Sequence, residues 1–458
     1  MKRSFYWMFT VVFLALLAVP GIAYLMGYEA ENYENRPLAR EAELVNRNGL
    51  NLDFPQDFDD WWGDHFGWRE EMVTAFHGFT MAVFDDTLNR KVVPGKGKYL
   101  FYSETMDDYL DINLLADEEI QKAATVLRLQ QEYCESLGAD FLFMVAPNKN
   151  TVYPEYMADR FAPTNDAGNR ESLYAALEAQ GVDALDLVAV LIGAKSEGDL
   201  YYEQDTHWNE RGAMIAYRAI MDELMRGAPY EDFSELEASE FLGYRGDLHN
   251  FVLPSVGGRL KYVDHGLKEV KAYHVDEGAN SARDISFGTT SDVNEYRLLF
   301  FRDSFGEGLI PILSNGVGRV VYSQEFPYNY VFSTEAFDAV AIEIVERNIK
   351  NLIASAPLMP ALEKVLPEGA VDVGATVMGR QRSGYTQLYG CYDGAFEGAI
   401  YLEVTDENGV TGVFEAFPVL DEQAQEAASS MASPQGFVLT LPAGMTGWSQ
   451  ARVYAVSH

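Results

Sequence analysis

The sequence predicts an α/β fold: a parallel sheet sandwiched by helices, with an N-terminal membrane anchor and a small C-terminal β-rich module. Three observations carry this. Phe141-Leu142-Phe143-Met144-Val145 is a continuous apolar run, the pattern of a strand buried on both faces. Helical and strand patterns alternate around it, which argues for repeated strand–helix crossovers. From Phe5 to Tyr28 the chain holds no charged residue, enough to cross about 30 Å of hydrocarbon as a helix.

Lys2 and Arg3 precede that run and hold its start in the cytoplasm. The expectation is a single-pass cell-membrane protein, anchored over 1–28, with its C-terminal bulk extracytoplasmic. A cleaved signal peptide is the alternative, with Gly21-Ile22-Ala23 as the cleavage site. The length and the Trp and Tyr content favour the anchor, and no cysteine follows that would make a lipoprotein. Residues 29–53 are polar and read as a tether. Phe58, Trp61, Trp62, Phe66, Trp68, Phe76 and Phe79 recur every three or four residues, predicting helices packed on a core. A helix is expected from Glu118 to Ser136, the strand at 141–145, a helix from Arg170 to Ala179, a strand over Val182–Leu187 and another near Tyr201. Asn209 is placed to cap a helix whose Ala213, Tyr217, Ile220 and Leu224 share a face. Residues 227–292 are Gly-rich and polar and read as an insertion. Strands at Arg297–Phe301, Arg319–Tyr322 and Ala339–Val345 restore the alternation up to about 356. Pro357, Pro360 and Pro367 mark a boundary, and 367–458 alternates around an Asn408-Gly409 hairpin turn.

Two or three domains are expected of 458 residues, and a 48% hydrophobic share supports packed cores over disorder. A net charge of −36 repels nucleic acid, which excludes it as the main partner. Cys134 and Cys391 have no spacing that suggests a pair, and Cys134 lies on an apolar helix face. No zinc pattern occurs, so no metal or cofactor is expected.

The chemistry rests on two stretches. Asp205-Thr206-His207-Trp208 sets a carboxylate two residues before an imidazole, just ahead of a helix. Such an Asp can fix the tautomer of the His, which then serves as general base. Phe300-Phe301-Arg302-Asp303-Ser304-Phe305-Gly306 ends an apolar strand on a serine. Open α/β sheets set reactive groups there, beside amides that can stabilise an oxyanion. Taken singly, Ser304 reads more readily as a helix cap than as a nucleophile. An Asp-x-His match is also cheap, since Asp247 and His249 repeat it inside the insertion.

Together with Val345-Glu346-Arg347-Asn348, Gly97 to Tyr102 and Pro147-Asn148-Lys149, these blocks resemble the AlgX/AlgJ and DHHW-type family. Its members are SGNH-hydrolase-like, export-side proteins associated with polysaccharide O-acetylation. The resemblance covers about Glu34 to Ala354. It implies an SGNH-like sheet with a circularly permuted motif order, because Asp205 and His207 precede Ser304. It further implies that Ser304, His207 and Asp205 move an acetyl group to a polysaccharide acceptor, with a multispanning membrane acyltransferase as donor. Two departures stand out. Arg302 occupies the place of the usual Gly, and no Gly-x-Asn-Asp oxyanion block occurs, leaving Arg347 or Asn348 as oxyanion candidates. Trp208 and Arg302 complete the candidate substrate contacts. A carbohydrate acetyl-esterase using the same triad, or a non-catalytic glycan-binding scaffold, are the rival readings.

Overall fold

The structure, a computed structural model, describes residues 2–28, 38–46, 49–165, 167–258, 260–268, 272–274, 286–396, 398–445 and 447–457. Much of the expected tether (29–37 and 47–48) and part of the expected insertion (259, 269–271 and 275–285) lie outside these residues.

Seven strands make the central sheet: β1 (Asp140–Ala146), β2 (Ala184–Asp186), β3 (Ala272–His274), β4 (Ser286–Thr290), β5 (Arg297–Phe301), β6 (Arg319–Ser323) and β7 (Ala339–Val345). Their order is β2-β1-β7-β5-β6-β4-β3. The first five run parallel, with Phe300 opposite both Ala341 and Tyr322. At the far edge β4 lies antiparallel to both β6 and β3. The stretch read as an insertion therefore adds two edge strands to the sheet. No strand forms near Tyr201, where a single bridge joins Tyr201 to Trp208.

Successive strand residues point to opposite faces, and both faces are covered. Phe141, Phe143, Leu299, Phe301 and Ile342 pack with Ile120, Leu127 and Cys134 of helix Asp117–Ser136 and Leu173 and Leu177 of helix Asn169–Gln180. Leu142, Met144, Leu298, Phe300 and Tyr322 pack with helices Leu187–Gly193, Glu210–Met225 and Ile310–Gly316. Asn209 caps the second of these, its side chain accepting from Gly212 N at 3.1 Å. Cys134 and Cys391 are buried and unpaired.

Among the described residues one helix, Lys2–Leu25, is long and apolar enough to cross a membrane, and a signal sequence has the same properties. Its end packs on helix Phe54–His65: Tyr24 meets Trp61 and Trp62 edge-on at 5.6 and 5.7 Å. The expectation of core aromatics fails at this place. Phe58, Trp68, Phe76 and Phe79 are exposed: helix Phe54–His65 meets the end of the first helix through Trp61 and Trp62, helix Arg69–Phe84 meets the short helix Asp247–Val252, and neither lies on the sheet. The spacing was helical, but periodicity does not say which surface covers the apolar stripe.

Beyond Pro367 the chain forms two antiparallel sheets of four and three strands around Leu402, Phe414, Phe437 and Leu439. Gly409 takes the positive φ of 83° that the Asn408-Gly409 turn requires. Tyr389, Phe417 and Val438 pack under the central sheet, and Lys364 pairs with Glu132 at 2.5 Å.

Candidate active site

Ser304 stands at the carboxyl end of β5, where the chain turns into the 3₁₀ segment Phe305–Leu309. Asp303 latches this turn. Its Oδ1 accepts from Phe305 N at 2.8 Å, and its Oδ2 accepts from Val345 N at 2.7 Å, joining the ends of β5 and β7. Below it, Asp303 N donates to Glu343 at 3.1 Å. Glu343 is buried in mid-strand, and burial lifts its carboxyl well above the usual range. Each hydrogen bond to a charged group contributes about 1.5–3 kcal/mol. Asp303→Ala should therefore lower unfolding stability by about 3 kcal/mol or more, read from denaturant midpoints. A loss under about 0.5 kcal/mol would show that the latch is unimportant.

Gly308 explains the next approach. A Cβ there would lie 2.7 Å from Trp208 Nε1, so only Gly lets the turn rest on the indole. Trp208 Nε1 donates to Phe305 O at 3.1 Å. The turn thereby sits directly beside the segment that carries the histidine.

His207 Nε2 lies 3.1 Å from Ser304 Oγ, and its Nδ1 lies 2.8 Å from Asp205 Oδ1. Asp205 is buried and fully engaged. Oδ1 also accepts from His207 N at 2.9 Å, while Oδ2 accepts from Tyr244 Oη and Asp247 N, both at 2.9 Å. Asp247 places Oδ2 3.8 Å from His207 Nδ1 and accepts from the Thr206 hydroxyl at 2.5 Å. Lys149 Nζ, also buried, donates to the carbonyls of Tyr202, Glu203 and Asp205 at 3.1, 3.2 and 2.6 Å. It gathers three carbonyls of the loop that leads into the histidine.

The charges follow from this packing. Burial opposes ionisation of Asp205, but the hydrogen bonds and charge of His207, with the amides of His207 and Asp247, hold its carboxyl below the usual range. Burial also opposes the imidazolium, yet Asp205 and then Asp247 outweigh it and raise the His207 pKa above 6.5. Burial first, then the charge of Asp205, raises the Asp247 carboxyl. Burial lowers Lys149 to about 7.

The other sequence candidates fall differently. Arg347 lies near the site, its guanidinium 5.6 Å from the Phe305 ring centre and 5.4 Å from that of Tyr102. Asn348 is half-buried and makes no side-chain hydrogen bond among the described residues. Arg302 lies beneath the turn: its side chain is 2% exposed and Nη1 donates to Asp303 O at 3.0 Å. The reason is the pleat, which turns Arg302 beneath the turn and against Gly306, where an added Cβ would sit 2.5 Å from Arg302 Cβ. Trp208 lines the cavity but spends its N–H on Phe305, so it supports the turn that carries Ser304.

Asp247, Tyr244 and Lys149 were missed. In the sequence Asp247 stands out only as half of a second Asp-x-His match. The carboxylate nevertheless reaches Thr206 and Nδ1 of His207, while His249 bonds Gln204 Oε1 at 2.8 Å and Val256 O at 2.9 Å. The available signal was Gly246, where a Cβ would run into Gln204 O. Glu343 carried a clearer one, an acid inside the apolar strand Ala339–Val345.

A cavity of about 290 Å³ opens beside Ser304 and His207. A larger cleft, about 760 Å³, lies at the opposite ends of the strands, between Asp140 and Arg226. Among the described residues one trio, Asp205, His207 and Asp247, is close enough to share a metal ion. Binding there would take His207 Nδ1 from the carboxylate that orients it, so the arrangement reads as a hydrogen-bond array.

Comparison with known proteins bears on the same stretch. Residues 92–298 match the family described as SGNH hydrolase-like domain, acetyltransferase AlgX. That range holds Asp205, His207 and Asp247 and ends before Ser304. The chain is 24% identical over 257 residues to the probable alginate O-acetylase AlgJ of Pseudomonas syringae pv. tomato, covering 55% of this chain and 61% of that protein. It is 28% identical over 170 residues to the AlgJ of Pseudomonas putida, covering 35% and 42%. The chain thus spans less than two thirds of the length of these relatives. Among solved structures, Bacillus cereus PatB1 with a sulfonyl adduct aligns at a TM-score of 0.44 and 15% identity, over 56% of this chain and 95% of that one. The resemblance read from the motifs stands, and over residues 92–298 the chain carries the match to the SGNH hydrolase-like, AlgX-type acetyltransferase domain.

Proposed function

We propose that this protein is an extracytoplasmic, membrane-anchored O-acetyltransferase that moves an acetyl group through Ser304 onto hydroxyls of an exported or cell-envelope polysaccharide. The observation that carries this reading is the unbroken contact Ser304 Oγ–His207 Nε2 (3.1 Å) and His207 Nδ1–Asp205 Oδ1 (2.8 Å). The printed names of the AlgJ relatives join O-acetylation to alginate, which supports a polysaccharide acceptor.

The donor is an acetyl ester or thioester, supplied on the outer side by a multispanning membrane acyltransferase. Ser304 Oγ attacks its carbonyl carbon and passes its proton to His207 Nε2. The tetrahedral oxyanion is met by the Ser304 amide and by Arg347. The donor alcohol or thiol leaves with the proton from His207, and Ser304 holds the acetyl ester. An acceptor hydroxyl then attacks, gives its proton to His207 Nε2, and Ser304 leaves reprotonated. Asp205 keeps the proton of the ring on Nδ1 throughout. The order of Asp205 and His207 before Ser304 is consistent with a permuted SGNH arrangement. The apolar cluster around Leu402 and Phe437 supports a β-rich module over 367–458, beside an α/β domain over 54–356.

Asp247 acts as a positioning residue that helps set the proton affinity of His207. Neutral His207 is the working base, so activity should rise with pH through a midpoint above 6.5. Asp247→Asn removes a negative charge 3.8 Å from Nδ1 and should move that midpoint down. An unchanged or higher midpoint in the pH–rate profile would remove Asp247 from this role.

The test of the function is mass spectrometry after brief exposure to p-nitrophenyl acetate. The Ser304 peptide should gain one acetyl group, and added oligosaccharide should discharge it as an acetylated sugar. Turnover without that adduct would overturn the mechanism, and release of acetate alone in the presence of acceptor would make the protein an esterase.

A further inference from the structure

We propose that the acceptor is a carboxylate-free glycan, neutral or amino-bearing, and that polyuronates are rejected. This rests on the reading of Ser304 as acetyl carrier and adds the chemical class of what it acetylates.

Among the described residues, the cavity beside Ser304 Oγ is lined by His207, Tyr202, Tyr244, Glu210 and Glu307 among others, and by no Lys or Arg. Glu210 faces it, and among the described residues its donors come from His265, the amide at 2.9 Å and Nδ1 at 2.8 Å. Glu307 is 66% exposed, and its nearest cation, Arg302, stands 3.9 Å away with a side chain that is itself 2% exposed. Arg347 does not line this cavity, and Lys149 is spent on three buried carbonyls. An incoming uronate would therefore bring its carboxylate toward Glu210 and Glu307 with no Lys or Arg on that wall among the described residues, and like charges at that range repel. The net charge of −36 repels a polyanion at longer range as well.

The same walls suit an uncharged sugar. Tyr202 and Tyr244 stack at 4.1 Å between centres with 17° between planes, giving a broad aromatic edge to the cavity. Apolar and aromatic walls with a few placed polar groups are the usual make-up of small-ligand sites. At about 290 Å³ the space holds a sugar residue and not a long segment. Glu210 and Glu307 would accept from its hydroxyls, and would accept more strongly from an ammonium group.

Detergent-solubilised full-length protein would be given p-nitrophenyl acetate and, separately, length-matched oligomers of N-acetylglucosamine, glucosamine and mannuronate. O-acetylated product would be read by mass, with alkali-lability separating esters from amides. The first two should be O-acetylated, with kcat/KM for mannuronate at least tenfold lower at low salt. That gap should narrow as salt screens the charges, and in Glu210→Gln/Glu307→Gln. Mannuronate acetylated as well as the others would overturn the inference while leaving the Ser304 chemistry intact. A gap unchanged in the double variant would overturn it too, as would nitrophenol release with no acceptor acetylated. Nitrophenol release no faster than in Ser304→Ala would instead bring down the underlying function.

Discussion

Ser304→Ala is expected to lower kcat for an activated acetyl ester on the order of 10⁶-fold, because removing the nucleophile of a triad abolishes the covalent route. That corresponds to about 8 kcal/mol of lost transition-state stabilisation. The structural cost is far smaller. Ser304 Oγ makes one hydrogen bond among the described residues, to His207 Nε2, and a bond of that kind contributes about 1 kcal/mol net. The backbone of the turn is held by Asp303, Glu343 and Trp208, none of which contacts the hydroxyl. Activity should therefore disappear while the melting temperature shifts by a few degrees at most. Stopped acetyl-ester kinetics with an unchanged circular dichroism melt would show this pairing. A variant that keeps more than about a tenth of the wild-type rate would place the nucleophile elsewhere.

Asp205→Asn should cost about 10⁴-fold, and the reason is the donor count around the carboxylate. Four donors converge on Asp205: His207 N and Nδ1 on one oxygen, Tyr244 Oη and Asp247 N on the other. An amide offers one acceptor oxygen. If its nitrogen faces His207, it donates to Nδ1, drives the ring proton to Nε2, and leaves no base for Ser304. It also strands His207 N–H. If its nitrogen faces Asp247, that amide is stranded in turn, and a buried unpaired donor costs about 1–3 kcal/mol. The variant should thus combine a large kinetic loss with a measurable stability loss, unlike Ser304→Ala. Its residual rate should climb at high pH, since hydroxide can replace the missing base. A rate within tenfold of wild type at pH 8 would sink the assigned role of Asp205.

The acceptor inference and the titration of His207 meet in one place. Asp247 raises the His207 pKa, while Glu210 and Glu307 line the cavity that opens on the same ring. The region is acidic on each of these sides, with Arg347 as the cation over Phe305. That distribution accords with an oxyanion stabilised near Arg347 and an acceptor that brings no carboxylate of its own.

Local patterns were legible in the sequence because their causes are local. An Asp two residues before a His reaches Nδ1 through its own turn, an apolar run makes β1 or β5, and Asn209 caps the helix that follows it. Ser304 at the end of β5 followed from the break in that run. What the tertiary structure alone decided concerns residues joined by sheet order. β7 slots between β1 and β5, and this sets Asp303 against Val345 and Arg347 over Phe305. The edge of the supposed insertion folds back so that Asp247 and Tyr244 close on Asp205, some forty positions earlier. Periodicity also could not tell that the aromatic helices at 54–84 would lie off the sheet, the one on the end of the first helix and the other on helix Asp247–Val252, with Phe76 and Phe79 exposed. Hydrophobic spacing records which side of an element is apolar; which neighbour meets that side depends on crossovers and strand order, to which a single chain window is blind.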